Sequence, residues 1–375
     1  MTEIYLTIFF ISLLLFLLGS GVWVGLSMIT VSAIGMLLFT TRPVGDAMAT
    51  TIWGTSSSWT LTALPLFVWM GEILFRTKLS ENLFKGLSPW LSKLPGGLVH
   101  VNVVGCALFA AISGSSAATV ATVGKMSIPE LRKRKYPEKL LLGSLAGSGT
   151  LGLLIPPSII LIIYGVTIED SIAKLFMAGI LPGIMIALMF LFYVIFWSIL
   201  NKRLMPKSNE SFSFLEKIQG SKQLLPVIFL ITAVISSIYT GIATATEAAS
   251  LGVVGALILS FFQGTLNRKT FKLSLLGATK TSCMIAFILA GSTFLSLAMG
   301  FTGLPRNLAI WIDAMNLSPY TLLFVLTIFY IILGMFLDGI SAVVLTMAII
   351  EPMIRQAGFD MIWFGIYLVI VVEMA

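Results

Sequence analysis

The chain has 375 residues, of which 58% are hydrophobic and 10% are charged. Soluble domains carry about 25% charged residues, so this composition excludes a soluble globular protein and indicates a polytopic membrane protein embedded in lipid. The net charge of +7 therefore bears on orientation in the bilayer, and we expect no nucleic-acid partner.

Apolar runs in the first part of the chain predict membrane spans at 4–18, 22–40 and 60–75. The basic segment 76–97 has apolar residues at helical spacing, which predicts a helix lying in the interface. Segment 98–128 has two short arms around Ser113-Gly114-Ser115-Ser116. Arms of about 18–22 Å are too short for a bilayer core of about 30 Å. We favour a re-entrant hairpin over one long, tilted helix.

The broken helix predicted at 139–166 contains GSGTLGLLIPPSIILIIYG, residues 147–165. This stretch is apolar enough for a membrane, but Pro156 and Pro157 remove two backbone donors and interrupt the helix. In lipid, a broken helix is tolerated where it is buried in protein or lines a wet cavity. Many transporters bind substrate and ions at such breaks. We therefore favour a binding site over a simple proline kink.

The second part of the chain begins after a long span at 175–200 and the polar connector 201–222. Its predicted elements are spans at 223–240, 245–263 and 279–300, a loop-rich or interfacial segment at 301–320, and a final apolar run from Met361. Residues 321–350 repeat the short-arm pattern around Asp338-Gly339-Ile340-Ser341.

The basic residues predict the orientation. Nineteen of the 23 Lys and Arg residues lie in four loops, at 76–97, 125–139, 201–222 and 264–280. The others are Arg42, Lys174, Arg306 and Arg355. The positive-inside rule places the four basic loops in the cytoplasm. The N-terminus is then periplasmic, and both hairpins must be re-entrant.

An internal repeat appears when the first half is shifted by 223 residues, because Pro129 then falls on Pro352 and Ser115 falls on Asp338. Inverted repeats with discontinuous elements are typical of secondary transporters. The predicted fold is an all-α polytopic membrane protein with an inverted repeat, two re-entrant helical hairpins and a discontinuous helix. The predicted parts are first-repeat scaffold helices and an interfacial arm (1–97), first-repeat transport elements (98–166), a connecting span and linker (167–222), second-repeat scaffold helices (223–320) and second-repeat transport elements (321–375).

Candidate chemistry rests on a few polar groups at membrane depth, and no residue pattern indicates an enzyme. An ionisable residue inside the membrane is a functional candidate by default. Asp338 is the strongest of these candidates, because it lies at a hairpin tip beside Gly339 and near Ser341. Its carboxylate and the neighbouring hydroxyl and carbonyl groups are hard oxygen ligands, which suit a cation such as Na⁺. Asp338 also fits a helix cap, and the two roles can coexist. For Glu247, in GIATATE, capping is favoured over ion binding.

Four stretches resemble the large membrane subunit of tripartite ATP-independent periplasmic (TRAP) transporters: ISGSSAATVATVG, GTLGLLIPPSIILIIYG, GIATATEAASLGVVGAL and GMFLDGISAVVLT. The resemblance covers nearly the whole chain. It implies a Na⁺-coupled, elevator-type importer of a bacterial inner membrane. It also implies a small four-helix membrane subunit and a periplasmic substrate-binding protein as partners. The implied substrates are organic acids such as C4-dicarboxylates, other carboxylates or sialic acid.

The same resemblance implies the site residues. A first Na⁺ site would use Ser113 and Ser116 with carbonyl groups around Gly152, Ile155 and Pro157. A second would use Asp338 and Gly339, with Ser341 beside them. Substrate would bind between the tips, near Ser115 and Ser158.

Two departures from the family pattern affect these expectations. Ala245 stands where the family usually has proline. A second double-proline break is expected just beyond residue 375, so we expect the sequence to be a fragment or a truncated form with an incomplete second ion site. Two other functions stay open, a Na⁺ symporter of the divalent-anion type that needs no binding protein, and a passive channel.

Overall fold

The computed structural model describes residues 2–77, 79–206, 213–222, 224–303, 318–335 and 337–374. Every regular element in these ranges is helical. The α-helices are α1 (Thr2–Gly19), α2 (Val24–Phe39), α3 (Val44–Ser56), α4 (Ala63–Phe75), α5 (Leu79–Leu91), α6 (His100–Ser113), α7 (Ser116–Lys133), α8 (Glu138–Gly149), α9 (Leu151–Leu154), α10 (Ile159–Thr167), α11 (Ile172–Leu200), α12 (Phe214–Lys222), α13 (Leu225–Tyr239), α14 (Ala245–Phe262), α15 (Arg268–Thr302), α16 (Pro319–Gly334), α17 (Gly339–Gln356) and α18 (Met361–Met374).

The described helices fit a membrane protein that crosses the bilayer several times. By length and composition, five helical stretches can span a membrane, or up to seven if each of two bent pairs counts as one span. The five stretches are Glu138–Thr167, Ile172–Leu200, Ala245–Phe262, Arg268–Thr302 and Gly339–Gln356. Helices satisfy their own backbone groups, as lipid requires. The predicted all-α polytopic class is confirmed. Most of the predicted segment 301–320, with Arg306, lies outside the described residues.

Helix α3 was not predicted, because its sequence VGDAMATTIWGTS contains no apolar run. Its threonine hydroxyls donate to carbonyl groups of the preceding turn, from Thr50 to Asp46 at 2.7 Å and from Thr51 to Ala47 at 2.7 Å. The polar groups are thus satisfied inside the helix. A hydropathy pattern cannot detect this compensation.

The basic loop predicted at 264–280 is wrong for most of its length, because α15 begins at Arg268 and continues for 35 residues. The Asn267 side chain accepts a 2.8 Å hydrogen bond from the Thr270 N–H, which starts the helix. Trp69 Nε1 donates to Ser274 Oγ at 3.3 Å and ties this basic end of α15 to α4. Basic side chains therefore lie on a helix rather than in a loop.

The second arms of the two hairpins follow the predicted repeat. Helix α7 begins at Ser116 and α17 at Gly339, each has 18 residues, and adding 223 converts the bounds of one into those of the other. Each contains its proline, Pro129 or Pro352, inside the helix. At 1.5 Å per residue they are about 27 Å long, so the expectation of short second arms is wrong. The opposite orientation of the two halves stays a prediction.

The chain forms two compact units. Unit 1 comprises Met1–Thr62, Ile162–Ser171 and Thr281–Ala375, and unit 2 comprises Ala63–Leu161 and Ile172–Lys280. The first tip and the double proline belong to unit 2, and the second tip belongs to unit 1.

In unit 1, α2 and α15 touch through their backbones. A β-carbon on Gly291 would lie 2.7 Å from the Gly25 carbonyl oxygen, and one on Gly25 would lie 2.9 Å from the Phe287 carbonyl oxygen. Helices in lipid gain little from the hydrophobic effect, so small residues that allow close packing carry such contacts.

In unit 2, the apolar stripe of α5 packs against protein. Leu83 is 5% exposed, and Phe84, Leu87 and Leu91 lie against a buried cluster that includes Leu98. Trp90 and Leu94 of the same stripe are exposed, so the stripe packs only in part against protein and the interfacial position of this helix stays a prediction.

We expect Gly291→Val to destabilise the protein, because the added side chain overlaps the α2 backbone, at a cost of about 1–3 kcal/mol. Gly300→Val on the same helix is the matched control, since nothing lies within 4 Å of a β-carbon there. The midpoint of thermal unfolding in detergent should fall for Gly291→Val and stay near the parent value for Gly300→Val. Equal midpoints for the two variants would contradict the close crossing.

Candidate functional site

The discontinuous helix consists of α8, the short α9, an extended segment and α10. Ile155 has φ −76° and ψ 122°, which takes the backbone out of the helical region. Pro156 and Pro157, joined by a cis peptide bond, follow it. The helix resumes at Ile159. The predicted break is confirmed at the predicted residues.

The prolines have no N–H, so the carbonyl groups of Gly152 and Leu153 lose their helical donors. The Ser158 hydroxyl replaces one of these missing donors, because it donates a hydrogen bond to the Leu153 carbonyl. It also accepts a 3.3 Å hydrogen bond from the Leu161 N–H, which caps α10. Ser158 is fully buried. Ser158, which was predicted to bind substrate, therefore links the two sides of the break through hydrogen bonds.

The first tip, Ser113 to Ser116, is a compact network of hydroxyl and carbonyl groups. Ser113 Oγ lies 2.8 Å from Thr119 Oγ1 and donates to the Ser115 carbonyl at 3.2 Å. Thr119 Oγ1 donates to the same carbonyl at 2.8 Å. Sequence reasoning missed Thr119, although its position four residues after Ser115 is the spacing at which a helical hydroxyl reaches back to a carbonyl.

The tip lies directly on the break. The Ile159 N–H donates a long, 3.4 Å hydrogen bond to the Gly114 carbonyl. Gly114 has φ +58°, which favours glycine, and a β-carbon there would lie 2.8 Å from the Pro157 carbonyl oxygen. A β-carbon on Gly152 would lie 2.6 Å from the Ser115 carbonyl oxygen. Two glycines thus permit backbone contact between the hairpin and the broken helix.

The structure therefore brings the predicted tip close to the predicted break. Ser116, predicted for the first ion site, and Ser115, predicted for substrate, lie against Gly152, and Gly114 lies against the Pro157 carbonyl. The Ile155 side chain packs where Gly183 of α11 leaves space, and the predicted use of the Ile155 carbonyl as an ion ligand stays a prediction.

The far side of the break is apolar. A cavity of about 10 Å³ lies there, lined by Pro156, Pro157, Phe176, Val234, Ile235, Ile238 and Tyr239. A volume of this size is about one water molecule, and an apolar lining offers a water no hydrogen bonds. The Ile159 N–H at the end of the break is the group whose hydrogen bond reaches the tip, at the Gly114 carbonyl.

The second tip is built on Asp338. One carboxylate oxygen accepts from the Ser341 N–H at 3.1 Å and the other from Ser341 Oγ at 2.6 Å. Asp338 therefore caps α17, as the alternative interpretation predicted. Ser115 occupies the same cap position before α7, with its Oγ 3.5 Å from the Ala118 N–H. The repeat thus pairs a neutral cap with an anionic one.

Glu247 forms a capping box with Thr244 at the start of α14. Thr244 N–H and Oγ1 both donate to Glu247 Oε2 at 2.8 Å. The favoured capping role is confirmed. Ala245 is the first helical residue, where proline is well tolerated.

The donor set of the first tip suits a hard cation. It consists of the hydroxyl and carbonyl oxygens of Ser113, Ser115 and Thr119, and such oxygens suit Na⁺, Mg²⁺ or Ca²⁺ rather than softer metals. Among the described residues, no group of three or more His, Cys, Asp or Glu side chains is arranged to hold a metal ion.

Comparison with known proteins decides the family. Residues 10–375 match the family described as the tripartite ATP-independent periplasmic transporter, DctM component. The chain belongs to this family. The resemblance seen in the four motifs is thereby confirmed, and the chain is a transporter component rather than an enzyme.

Relatives of the DctM component share about 30% of their residues with this chain. The C4-dicarboxylate TRAP transporter large permease protein DctM of Pseudomonas aeruginosa is 31% identical over 342 residues, covering 91% of this chain and 79% of that protein. The sialic acid TRAP transporter large permease protein SiaM of Vibrio cholerae is 31% identical over 357 residues, covering 93% and 81%. The isethionate TRAP transporter permease protein DctMQ of Oleidesulfovibrio alaskensis is 30% identical, covering 87% and 51%.

We expect Gly152→Ala to impair transport without unfolding the protein. The added methyl overlaps the Ser115 backbone, and an overpacking cost of about 1–3 kcal/mol would lower the population of the tip–break contact by about fivefold or more. Gly143→Ala on α8 is the matched control, since nothing lies within 4 Å of its added methyl. Uptake by the reconstituted transporter should fall for Gly152→Ala alone. Full uptake by Gly152→Ala would show that the contact is dispensable.

Proposed function

We propose that the chain is the large membrane subunit of a Na⁺-coupled importer that moves an organic acid delivered by a periplasmic binding protein. The observation that carries the proposal is the packing of the Ser113–Ser116 tip on the double-proline break, in a chain that belongs to the DctM component family. Discontinuous elements of this kind supply ion and substrate sites in secondary transporters.

Coupling to Na⁺ draws support from the chemistry of the two tips. The first offers neutral hydroxyls at Ser113 and Ser116 and the Gly152 carbonyl, which lacks its helical donor. The second offers the Asp338 carboxylate beside Gly339 and Ser341. In this proposal each tip holds one cation, and substrate binds near Ser115.

The substrate class and partners draw support from the relatives. Their names include C4-dicarboxylate, sialic acid and isethionate, all anionic organic compounds. Their TRAP transporter names favour a periplasmic binding protein and a small membrane subunit as partners of this chain. In this proposal the complex sits in a bacterial inner membrane with the N-terminus of this chain in the periplasm.

An elevator movement is the proposed mechanism. The first tip and the proline break belong to one compact unit and are joined through Gly114 and Gly152. They can therefore move as one body, so that a bound ion keeps its ligands while it changes sides.

Replacing Asp338 separates its two roles. Asparagine caps helices about as well as aspartate, whereas alanine costs about 1 kcal/mol at such a position. We expect Asp338→Asn to keep the thermal midpoint and to raise the Na⁺ concentration needed for half-maximal uptake by about tenfold, which corresponds to about 1.4 kcal/mol of ion affinity. Asp338→Ala should lower the thermal midpoint, because the cap is lost, and should also raise the Na⁺ concentration needed for half-maximal uptake.

The control is Asp360→Asn at the start of α18, where the Asp360 carboxylate accepts a 2.8 Å hydrogen bond from the Trp363 N–H. It should leave Na⁺ dependence unchanged. Ser116→Ala should weaken Na⁺-driven uptake in the same assay. Unchanged Na⁺ dependence in Asp338→Asn and Ser116→Ala would remove both residues from the ion sites.

Reconstitution into liposomes tests the class of transporter. We expect accumulation of an organic acid only when the small subunit, the binding protein and an inward Na⁺ gradient are all present, because the gradient supplies the driving force. Uptake by this chain alone with Na⁺ would favour the divalent-anion type of symporter. Flux that continues without any Na⁺ gradient would favour a channel.

A further inference from the structure

Helix α12, in the connector between α11 and α13, packs on α5 through one face only. A β-carbon on Gly220 would lie 3.2 Å from the Lys85 carbonyl oxygen, and one on Gly86 would lie 3.1 Å from the Gly220 carbonyl oxygen. Trp90 Nε1 donates to Ser221 Oγ at 2.8 Å. Lys217 Nζ lies 5.2 Å from the centre of the Trp90 ring. This face of α12, with Lys217, Gly220 and Ser221, packs against protein and is partly buried.

A different face of α12 is apolar and exposed. Phe214 is 68% exposed, Leu215 69% and Ile218 39%. Residues three or four positions apart share one side of a helix. Ile218 lies three residues after Leu215 and four after Phe214, and Lys222 continues the same stripe four residues after Ile218. The stripe therefore consists of three apolar side chains followed by a lysine. The contacts of the other face with α5 fix the position of the helix.

The connector and helix α5 carry exposed basic residues. Lys202 and Arg203 lie in the connector, Lys85 lies on α5 and Lys93 follows that helix, and Lys222 ends α12. None of these five forms an ion pair with another described residue. An exposed apolar stripe that ends in an unpaired lysine, on a helix that packs against the basic helix α5, matches a surface that carries both negative charge and hydrocarbon.

The direction of α12 differs from that of the following span. Its axis is bent by 56° from that of α13, which begins at Leu225. A short amphipathic helix that leaves the direction of an adjoining span is suited to lie along the membrane surface.

We propose that α12 lies in the bilayer interface, with Phe214, Leu215 and Ile218 at the acyl-chain boundary and Lys222 on the headgroup of an anionic phospholipid. Three apolar side chains expose a few hundred Å², which is less than the about 800 Å² that a stable protein partner covers. The stripe is large enough for lipid, whose attraction grows with buried apolar area and with basic charge.

The first test measures binding of phosphatidylglycerol by native mass spectrometry of the purified complex, with phosphatidylcholine of the same acyl chains as reference. Lys222→Gln should weaken the tightest phosphatidylglycerol binding by about fivefold, the effect of one lysine near an anionic surface. Lys133→Gln, at the exposed end of α7, removes the same charge elsewhere and should change nothing. No weakening by Lys222→Gln, or equal weakening by both variants, would overturn the proposal.

The second test measures the depth of the stripe by electron paramagnetic resonance. A spin label at Leu215→Cys in a Cys283→Ser background should collide more with oxygen than with a water-soluble nickel complex, in the reconstituted transporter. A label at Lys133→Cys supplies the water-exposed reference. Dominant collision with nickel would place α12 in water, and low collision with both reagents would place a protein on it. Either result would overturn the proposal.

Discussion

Two adjacent residues without N–H groups set the main constraint on unit 2. A helix in lipid must satisfy its own backbone, and Pro156 and Pro157 make that impossible at one point. The gap is partly bridged from two directions. Ser158 donates to the Leu153 carbonyl from within the same chain segment, and the Gly114 carbonyl of the hairpin accepts a hydrogen bond from the Ile159 N–H. The break and the tip therefore share a backbone hydrogen bond, while the Gly152 carbonyl keeps no helical donor.

Glycine is the means by which helices reach each other in this protein. Main chains come close together at several glycines. These are the pairs Gly25–Gly291 and Gly86–Gly220, and Gly114 and Gly152, each of which lies against the backbone of the segment opposite. In a soluble protein the same helices could be held by large apolar side chains, but lipid is as apolar as those side chains. Close approach then supplies dispersion and polar contacts that lipid cannot replace.

Much of the fold could be predicted from hydropathy, proline and charge. The break at Pro156 followed from backbone chemistry. The equal lengths of α7 and α17 and their equivalent positions in the repeat followed from the spacing of Pro129 and Pro352. The helix α3 could not be found, because its hydroxyls are satisfied locally and leave no apolar signal. The start of α15 was hidden by its basic residues, which mark a membrane boundary but do not break a helix.

The sequence predicted which residues lie at the candidate site, but it did not predict which contacts each of them makes. Ser158 is a bridge because its hydroxyl happens to reach the Leu153 carbonyl, and only the shape of the break shows that. Thr119 belongs to the tip through contacts across one helical turn. The outward face of α12 also could not be predicted, since an amphipathic sequence does not say which face meets protein.

The unequal caps of the repeat have an electrical consequence. Ser115 is neutral and Asp338 is anionic at equivalent positions. A monovalent cation held by hydroxyls and carbonyls at the first tip would leave that tip with one positive charge. The same cation beside Asp338 would leave the second tip neutral. The membrane voltage acts with about 2.3 kcal/mol per charge for each 100 mV, so it would pull on the loaded first tip and leave the loaded second tip nearly unaffected.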